Sequence, residues 1–213
     1  KDVLVKVDTV GICGSDLHYY QHGKIGDFIV EGEFILGHEC SGEVVEIGKE
    51  VKNLAIGDRV ALEPGVTCGK CEFCKAGKYN LCRDVEFFAT PPYHGVLANY
   101  VKHPEDMCFK LPENVSYAEG AMVEPLAVGL HAANQGNVKL GDTVVVFGTG
   151  CIGLMAILAS KAKGASNIIV VDILENRLEV AKKIGAHHTI NAKEVNVIEK
   201  IQELTNGKGA EVV

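Results

Sequence analysis

The run "DTVVVFGTGCIGLMAILASKAKG" at residues 142–164 restricts the possible folds more than any other stretch of the chain. Thr143 to Val146 are β-branched, and with Phe147 they form a short apolar block suited to a strand covered on both faces. Glycines at 148, 150 and 153 break it, and an Ala/Leu/Met-rich segment of helical character follows. The uncharged stretch from Thr143 to Ser160 approaches the length of a membrane span. Three glycines between two textures nonetheless describe a strand, a turn and a helix better than one lipid-facing helix. The alternation continues. "NIIVVD" reads as a second strand, "ENRLEVAKKIG" as a helix whose Leu178, Ala181 and Ile184 share one face before Gly185 ends it, and "HHTIN" as a third strand. A helix around "EVNVIEKIQELT" and a strand beginning at "GAEVV" extend the pattern of a parallel βαβαβ sheet.

The same glycines carry chemistry. Gly148, Gly150 and Gly153, with Ile152 among them, fit G-x-G-x-x-G directly after a strand and at the opening of a helix. Asp172 ends the next strand about 20 residues on. Glycine lets the backbone approach a pyrophosphate, the helix N-terminus donates N–H groups to it, and the acid accepts from a ribose diol. The motif alone is weak. Strand, turn, helix, strand and terminal acid in agreement make it a dinucleotide-binding reading. Asp172 repels a 2′-phosphate and so favours NAD over NADP, while Arg177 suits either that phosphate or the flank of an NAD ribose.

Upstream of Lys139 the texture differs. Short β-rich segments broken by glycine, "VLVKVDTVG", "GEVVEIG", "DRVALEPG", "LANYVKH" and "CFKLP", predict an all-β, barrel-like domain with irregular loops. The expected division is residues 1–137 and 138–213. Near the junction "SYAEGAMVEPLAVGLHAA" is helical, with Ser116 and Glu119 spaced as a capping box. Pro125 suits a first helical turn, so two short helices are expected with Glu124 at the break. A chain opening inside "VLVKV" and closing as a strand begins is expected to be a piece of a longer protein, and no signal peptide is visible. The formal net charge of −7 argues against a nucleic-acid or anionic-membrane partner.

Half of the eight cysteines fall in one lobe. Cys68, Cys71, Cys74 and Cys82 form C-x2-C-x2-C-x7-C in a polar, glycine- and lysine-rich loop. Four thiolates make a closed tetrahedral shell for a structural zinc, with no position left for water or substrate; an iron–sulfur cluster uses the same donors. Free core cysteines do not gather in such loops, and a chain with this much core does not need disulfides, so a reducing, cytoplasmic setting is expected. Cys13, His38, Glu39 and Glu124 are scattered. Singly they read as a core thiol, a turn histidine, a surface charge and a helix cap; together they match the mixed ligation of an open, catalytic zinc.

With both halves described, the chain resembles the zinc-containing medium-chain dehydrogenases, most closely their polyol (sorbitol and xylitol) branch. The resemblance covers all 213 residues and rests on "GICGSDLHYY", "LGHECSGEVVEIG", "GDRVALEPG", the cysteine lobe, "FFATPPYHG", "MVEPLAVGLHA" and "VVVFGTGCIGLMA". It implies a GroES-like catalytic domain followed by the first part of a Rossmann doubly wound sheet. Two zinc ions per subunit and NAD are implied as cofactors. Cys13, His38 and Glu39 correspond to catalytic zinc ligands, and Glu124 to a ligand or to a residue held through the zinc-bound water. Simple alcohol dehydrogenases usually carry cysteine where Glu124 stands, so the glutamate supports polyols. Ser15 corresponds to the first member of a proton relay that His18 continues. Tyr19 and Phe87, with Ile25, Phe28 and Phe88, line the implied substrate pocket, although Phe28 and Phe88 read equally well as core.

The implied reaction converts a secondary hydroxyl to a ketone, sorbitol to fructose or xylitol to xylulose, with hydride passing to NAD. Threonine dehydrogenase shares much of the metal lobe, a threonine, diol or alcohol dehydrogenase of the same superfamily is the alternative, and a tetramer is expected by analogy. The family's C-terminal part, with a substrate-side arginine, is absent from these residues, so they are not expected to turn over substrate alone. A non-catalytic zinc and nucleotide-binding protein is the rival from another class. Relatives without zinc catalysis usually lack the Cys13/His38/Glu39 set.

Overall fold

The computed structural model describes residues 1–213, which divide into two compact units, Lys1–Glu124 and Pro125–Val213. The first unit begins with β1 (Asp2–Gly11), α1 (Gly14–His22), the hairpin β2 (Lys24–Ile25) and β3 (Phe28–Ile29), and β4 (Glu39–Ile47). There follow β5 (Arg59–Leu62), β6 (Gly65–Val66), α2 (Glu72–Lys75), β7 (Glu86–Phe87), β8 (Tyr100–Pro104), β9 (Cys108–Lys110) and α3 (Tyr117–Ala121). Five strands make an antiparallel sheet in the order β8-β1-β4-β5-β9. Alternate residues of β1 turn inward, so Val3 and Val5 join Val44, Val60, Leu62, Val96 and Cys108 in one buried cluster. Each fully buried valine contributes roughly 1.5 kcal/mol or more.

The β-rich reading of this half therefore holds. The capping box also forms: Ser116 Oγ accepts from the Glu119 amide at 3.2 Å, and Glu119 Oε2 accepts from the Ser116 amide at 2.8 Å. The next helix, α4 (Val123–Gln135), starts afresh after α3 and holds Glu124 and Pro125 in its first turn, where proline's missing N–H costs nothing.

The second unit continues with β10 (Thr143–Phe147), α5 (Cys151–Ala162), β11 (Asn167–Asp172), α6 (Glu175–Ile184), β12 (His188–Asn191) and α7 (Val197–Leu204). The three strands are parallel in the order β10-β11-β12. Both faces of the sheet are covered. Val144, Ile168 and Val170 bury against Ile157, Ala159, Leu178 and Ala181 from α5 and α6. Val145, Ile169, Val171 and Ile190 bury on the opposite face against Val197, Ile201 and Leu204 of α7. This is why β10 and β11 read as continuous apolar runs rather than alternating ones. Val212 bridges Val144 in parallel on the free side of β10, so the last residues begin a further strand there.

The boundary falls earlier than the change of sequence texture. Ala133 of α4 and Val138 lie in the same buried cluster as β10 and α5, which draws the helix into the second unit, and the compact units part after Glu124. No helix is long and apolar enough to cross a membrane.

Candidate functional site

Four thiols converge where the chain is locally wound to bring them together. Cys68 follows β6, Cys71 and Cys74 flank and enter the single turn of α2, and Cys82 closes a short 3-10 turn at Tyr79–Leu81. Their sulfurs all lie within 4.8 Å of one another, with Cys71–Cys74 at 3.5 Å and Cys68–Cys74 at 4.0 Å. Tetrahedral sulfurs about 2.3 Å from a zinc ion stand about 3.8 Å apart, so the set fits that ion without rearrangement. Cys68, Cys71, Cys74 and Cys82 are all free thiols, which removes the disulfide reading. Backbone amides already favour thiolates: Cys71 N–H donates to Cys68 Sγ and Cys68 N–H to Cys82 Sγ, both at 3.4 Å. The Cys71 thiol is drawn down to about 7, chiefly by the amide of Cys74, while desolvation pushes Cys74 up to about 11. Four crowded sulfurs cannot all ionise unaided, and a dication resolves the conflict.

The scattered candidates meet through strand pairing. In the β1–β4 ladder Gly11 faces Glu39 and Val10 faces Cys40. The end of β1 thus delivers Cys13, and the start of β4 delivers His38 and Glu39, to the same place. The ligand atoms of Cys13, His38 and Glu39 lie within 4.8 Å of one another. Gly11 has to be glycine here: a Cβ added to it would overlap the Glu39 carboxylate. His38 and Glu39 are buried and Cys13 half-buried. Burial raises the Glu39 carboxyl, an effect that His38 and a hydrogen bond from Cys13 only partly offset. Glu124 lies outside the three-residue set, yet burial and the charge of Glu39 push its carboxyl up to about 7. Two carboxyls raised beside a thiol and an imidazole form a donor set short of positive charge, which suits a divalent ion.

One residue missing from the sequence reading holds this centre together. Asp16, only 3% exposed, accepts from the Cys13 amide at 2.9 Å and the Gly37 amide at 2.8 Å, and it stands 3.9 Å from His38 Nδ1. It ties the loop carrying one candidate ligand to the loop carrying two. The available signal was an acid placed three residues after Cys13, the spacing of a helix-start box.

The remaining expected residues divide. Phe87 faces His38 at 5.8 Å between ring centroids. Ser15 is half-buried in the first turn of α1, and His18 is exposed on that helix against His22. Tyr19 is buried against Phe34. Ile25 pairs with Phe28 across the β2–β3 hairpin, and Phe28 is exposed rather than core. Phe88 is half-buried: it packs on the sheet's apolar cluster and on His103 at 4.7 Å, and it also lines a pocket with Phe87, Tyr93 and His94.

In the second unit Gly148 takes a φ of +86°, a conformation that favours glycine, and Gly150 caps α5. A Cβ on Gly153 would overlap the Gly148 carbonyl, so strand and helix can approach closely only with glycine there. Asp172 stands at the end of β11, buried, with hydrogen bonds that hold its carboxyl down to about 2, the Thr149 hydroxyl foremost. Ile152 and Arg177 are exposed nearby in sequence, on α5 and α6. The turn, the helix N-terminus and the acid have the chemistry of a dinucleotide cradle.

The alcohol dehydrogenase GroES-like domain family matches residues 1–113, and the zinc-binding dehydrogenase family matches residues 151–213. Sorbitol dehydrogenase of Bacillus subtilis is 53% identical over 211 residues, covering 99% of this chain and 60% of that protein. A protein named "Probable D-xylulose reductase A" from Aspergillus clavatus is 50% identical over 216 residues, covering 100% of this chain and 60% of its own length. An oxidoreductase/dehydrogenase of unknown specificity from Escherichia coli superposes with a TM-score of 0.94 at 48% identity, over 98% of this chain and 61% of that one. The chain thus spans about 60% of the length of the relatives it matches.

Proposed function

The chain belongs to the zinc-binding dehydrogenases with an alcohol dehydrogenase GroES-like domain, and from that footing we propose that it forms the metal centre and the first part of the coenzyme site of an NAD-dependent polyol dehydrogenase. The observation that carries this reading is the junction of Cys13, His38 and Glu39, a donor set that leaves a tetrahedral position open. Zinc bound there would supply Lewis acidity to a substrate hydroxyl, and NAD would accept the hydride. Cys13, His38 and Glu39 would hold the catalytic ion, and Cys68, Cys71, Cys74 and Cys82 the structural one.

The other residues bind, orient and move protons. Glu124, its carboxyl raised to about 7, exchanges a proton near neutrality and can hydrogen-bond a hydroxyl in either state. Ser15 Oγ takes the substrate's hydroxyl proton as it hands its own proton on, so no charge is added beside the substrate oxygen, and the exposed His18 ring passes that proton to solvent. Phe87 gives the His38 side of the site an apolar wall, and Tyr19, held against Phe34, is assigned to the substrate with it. The backbone around Gly148 and Gly150 receives the pyrophosphate, and Asp172 the adenosine ribose, with its charge disfavouring a 2′-phosphate. Four free thiols gathered as a metal site suit a reducing, cytoplasmic setting.

A steady-state panel of sorbitol, xylitol, L-threonine and 2,3-butanediol on the full-length protein tests the reading, together with metal analysis and light scattering for the expected tetramer. NAD reduction with sorbitol or xylitol, a ketose product and two zinc ions per chain are expected. Preference for threonine or the diol, or a protein with only the four-cysteine zinc, would overturn it.

A further inference from the structure

The carboxylate of Asp172 is full. Its Oδ2 accepts from the Thr149 amide and from Thr149 Oγ1, both at 2.7 Å, and its Oδ1 accepts from the amides of Ile173 at 2.6 Å and Leu174 at 3.0 Å. An ionised carboxylate offers about four lone-pair sites, so none is left for a ligand. Both residues are sequestered, Thr149 at 2% and Asp172 at 7% exposure. Three of the four donors are main-chain amides. They are fixed by the glycine turn after β10 and by the exit of β11, and cannot leave without breaking those elements. The fourth is a hydroxyl on a rotatable bond.

We propose that the Thr149 hydroxyl is a removable cover on Asp172: a sugar hydroxyl reaching the carboxylate takes its place, which makes Thr149 a positioning residue that sets coenzyme affinity. The inference rests on the dinucleotide reading given above. In the free protein the hydroxyl satisfies an acceptor that has little access to water; in the complex that bond is surrendered. Part of the ribose's binding energy is therefore spent exchanging one hydroxyl for another. Removing the donor while keeping the shape reverses this. The free protein is left with an unfilled buried acceptor and loses stability, whereas the ligand supplies the missing donor and binds more tightly. Opposite signs for the two effects separate this role from a merely structural one, in which stability and affinity fall together.

The test uses the full-length protein, its Thr149→Val variant, which keeps the branched shape without the hydroxyl, and Thr149→Ser, which keeps the hydroxyl. Thr149→Ala repeats the comparison should the valine variant not fold. Calorimetric titration with NADH, ADP and 2′,3′-dideoxy-ADP is paired with thermal melting of the ligand-free protein. The valine variant is expected to melt lower and to bind NADH and ADP about tenfold more tightly, equivalent to about 1.4 kcal/mol, with no gain for the dideoxy nucleotide. Thr149→Ser should behave as wild type. Unchanged or weaker ADP binding by both variants would overturn the proposal while leaving the dinucleotide reading intact, as would an equal gain for dideoxy-ADP. Wild-type protein that binds neither NADH nor ADP would overturn both.

Discussion

Asp16→Asn should loosen the fold and empty one metal centre while sparing the other. The wild-type carboxylate accepts from Cys13 and Gly37 with separate oxygens and keeps negative charge beside His38. Asparagine has one oxygen. One of the two amides keeps a neutral acceptor, which costs about 1 kcal/mol of charge assistance; the other faces an NH2 group and is left unpaired, at about 2 kcal/mol. The expected loss is thus about 3 kcal/mol, which in a protein longer than this chain lowers the melting temperature by several degrees. With the two ligand loops no longer tied, zinc affinity at Cys13/His38/Glu39 should fall about 10- to 100-fold. The four-cysteine lobe makes no contact with Asp16's hydrogen bonds, so it serves as an internal control. Dialysis of the full-length protein against a graded chelator, followed by metal analysis and calorimetry, reads both effects. A variant that keeps its second zinc at the wild-type chelator concentration and melts within about 2 °C of wild type would refute the tie.

Cys71→Ser should cost the structural zinc and with it the order of residues around the lobe, whereas Cys13→Ser should abolish turnover with the fold retained; metal content and far-UV dichroism separate the two. Gly11→Ala drives a methyl group into the Glu39 carboxylate, so catalytic-site zinc and activity should fall although nothing polar is removed; wild-type metal content in that variant would discount the close approach. Asp172 has a folded-state pKa of about 2 against an unfolded value of 3.8, so its contribution is complete above the unfolded value and fades as pH falls through about 3.8 toward 2. Compared with Asp172→Asn, the wild-type protein should hold an advantage of roughly 2 kcal/mol near neutrality that shrinks over that acid window in denaturant titrations. An advantage independent of pH would contradict the linkage.

The parts of the fold that were legible in the sequence are those whose causes are local. Thr143–Phe147 reads as a strand because both of its faces are covered, Ser116 and Glu119 cap a helix within one turn, and the cysteine lobe gathers four ligands within a single loop. Helix α1 was not legible. Glycine, serine, aspartate, histidine and tyrosine are weak helix formers, and Gly14–His22 buries little besides Asp16 and Tyr19. Where the compact units part is likewise not local, since it depends on which core Ala133 joins rather than on where the texture changes. Phe88 follows the same rule: its aromatic neighbour Phe87 turns to His38 while Phe88 turns to the core, and alternation along an extended segment decides between them.

The two metal centres differ in how their geometry is specified, and this difference explains why one was conspicuous and the other needed the fold. Four thiols in one loop depend on nothing outside that loop, so their spacing alone announces them, and their completeness closes the ion to substrate. Cys13, His38 and Glu39 meet only if β1 and β4 pair in the observed register. A slip of one residue along that ladder would turn Glu39 to the other face of the sheet and dissolve the set. The same dependence couples stability to activity. The two register shifts of the β1–β4 ladder, with Val45 extra on β4 and Asp8 extra on β1, the missing Cβ at Gly11 and the two amides held by Asp16 all act before any ligand arrives. An open coordination site needs such outside constraint because three donors, unlike four, do not fix their own geometry.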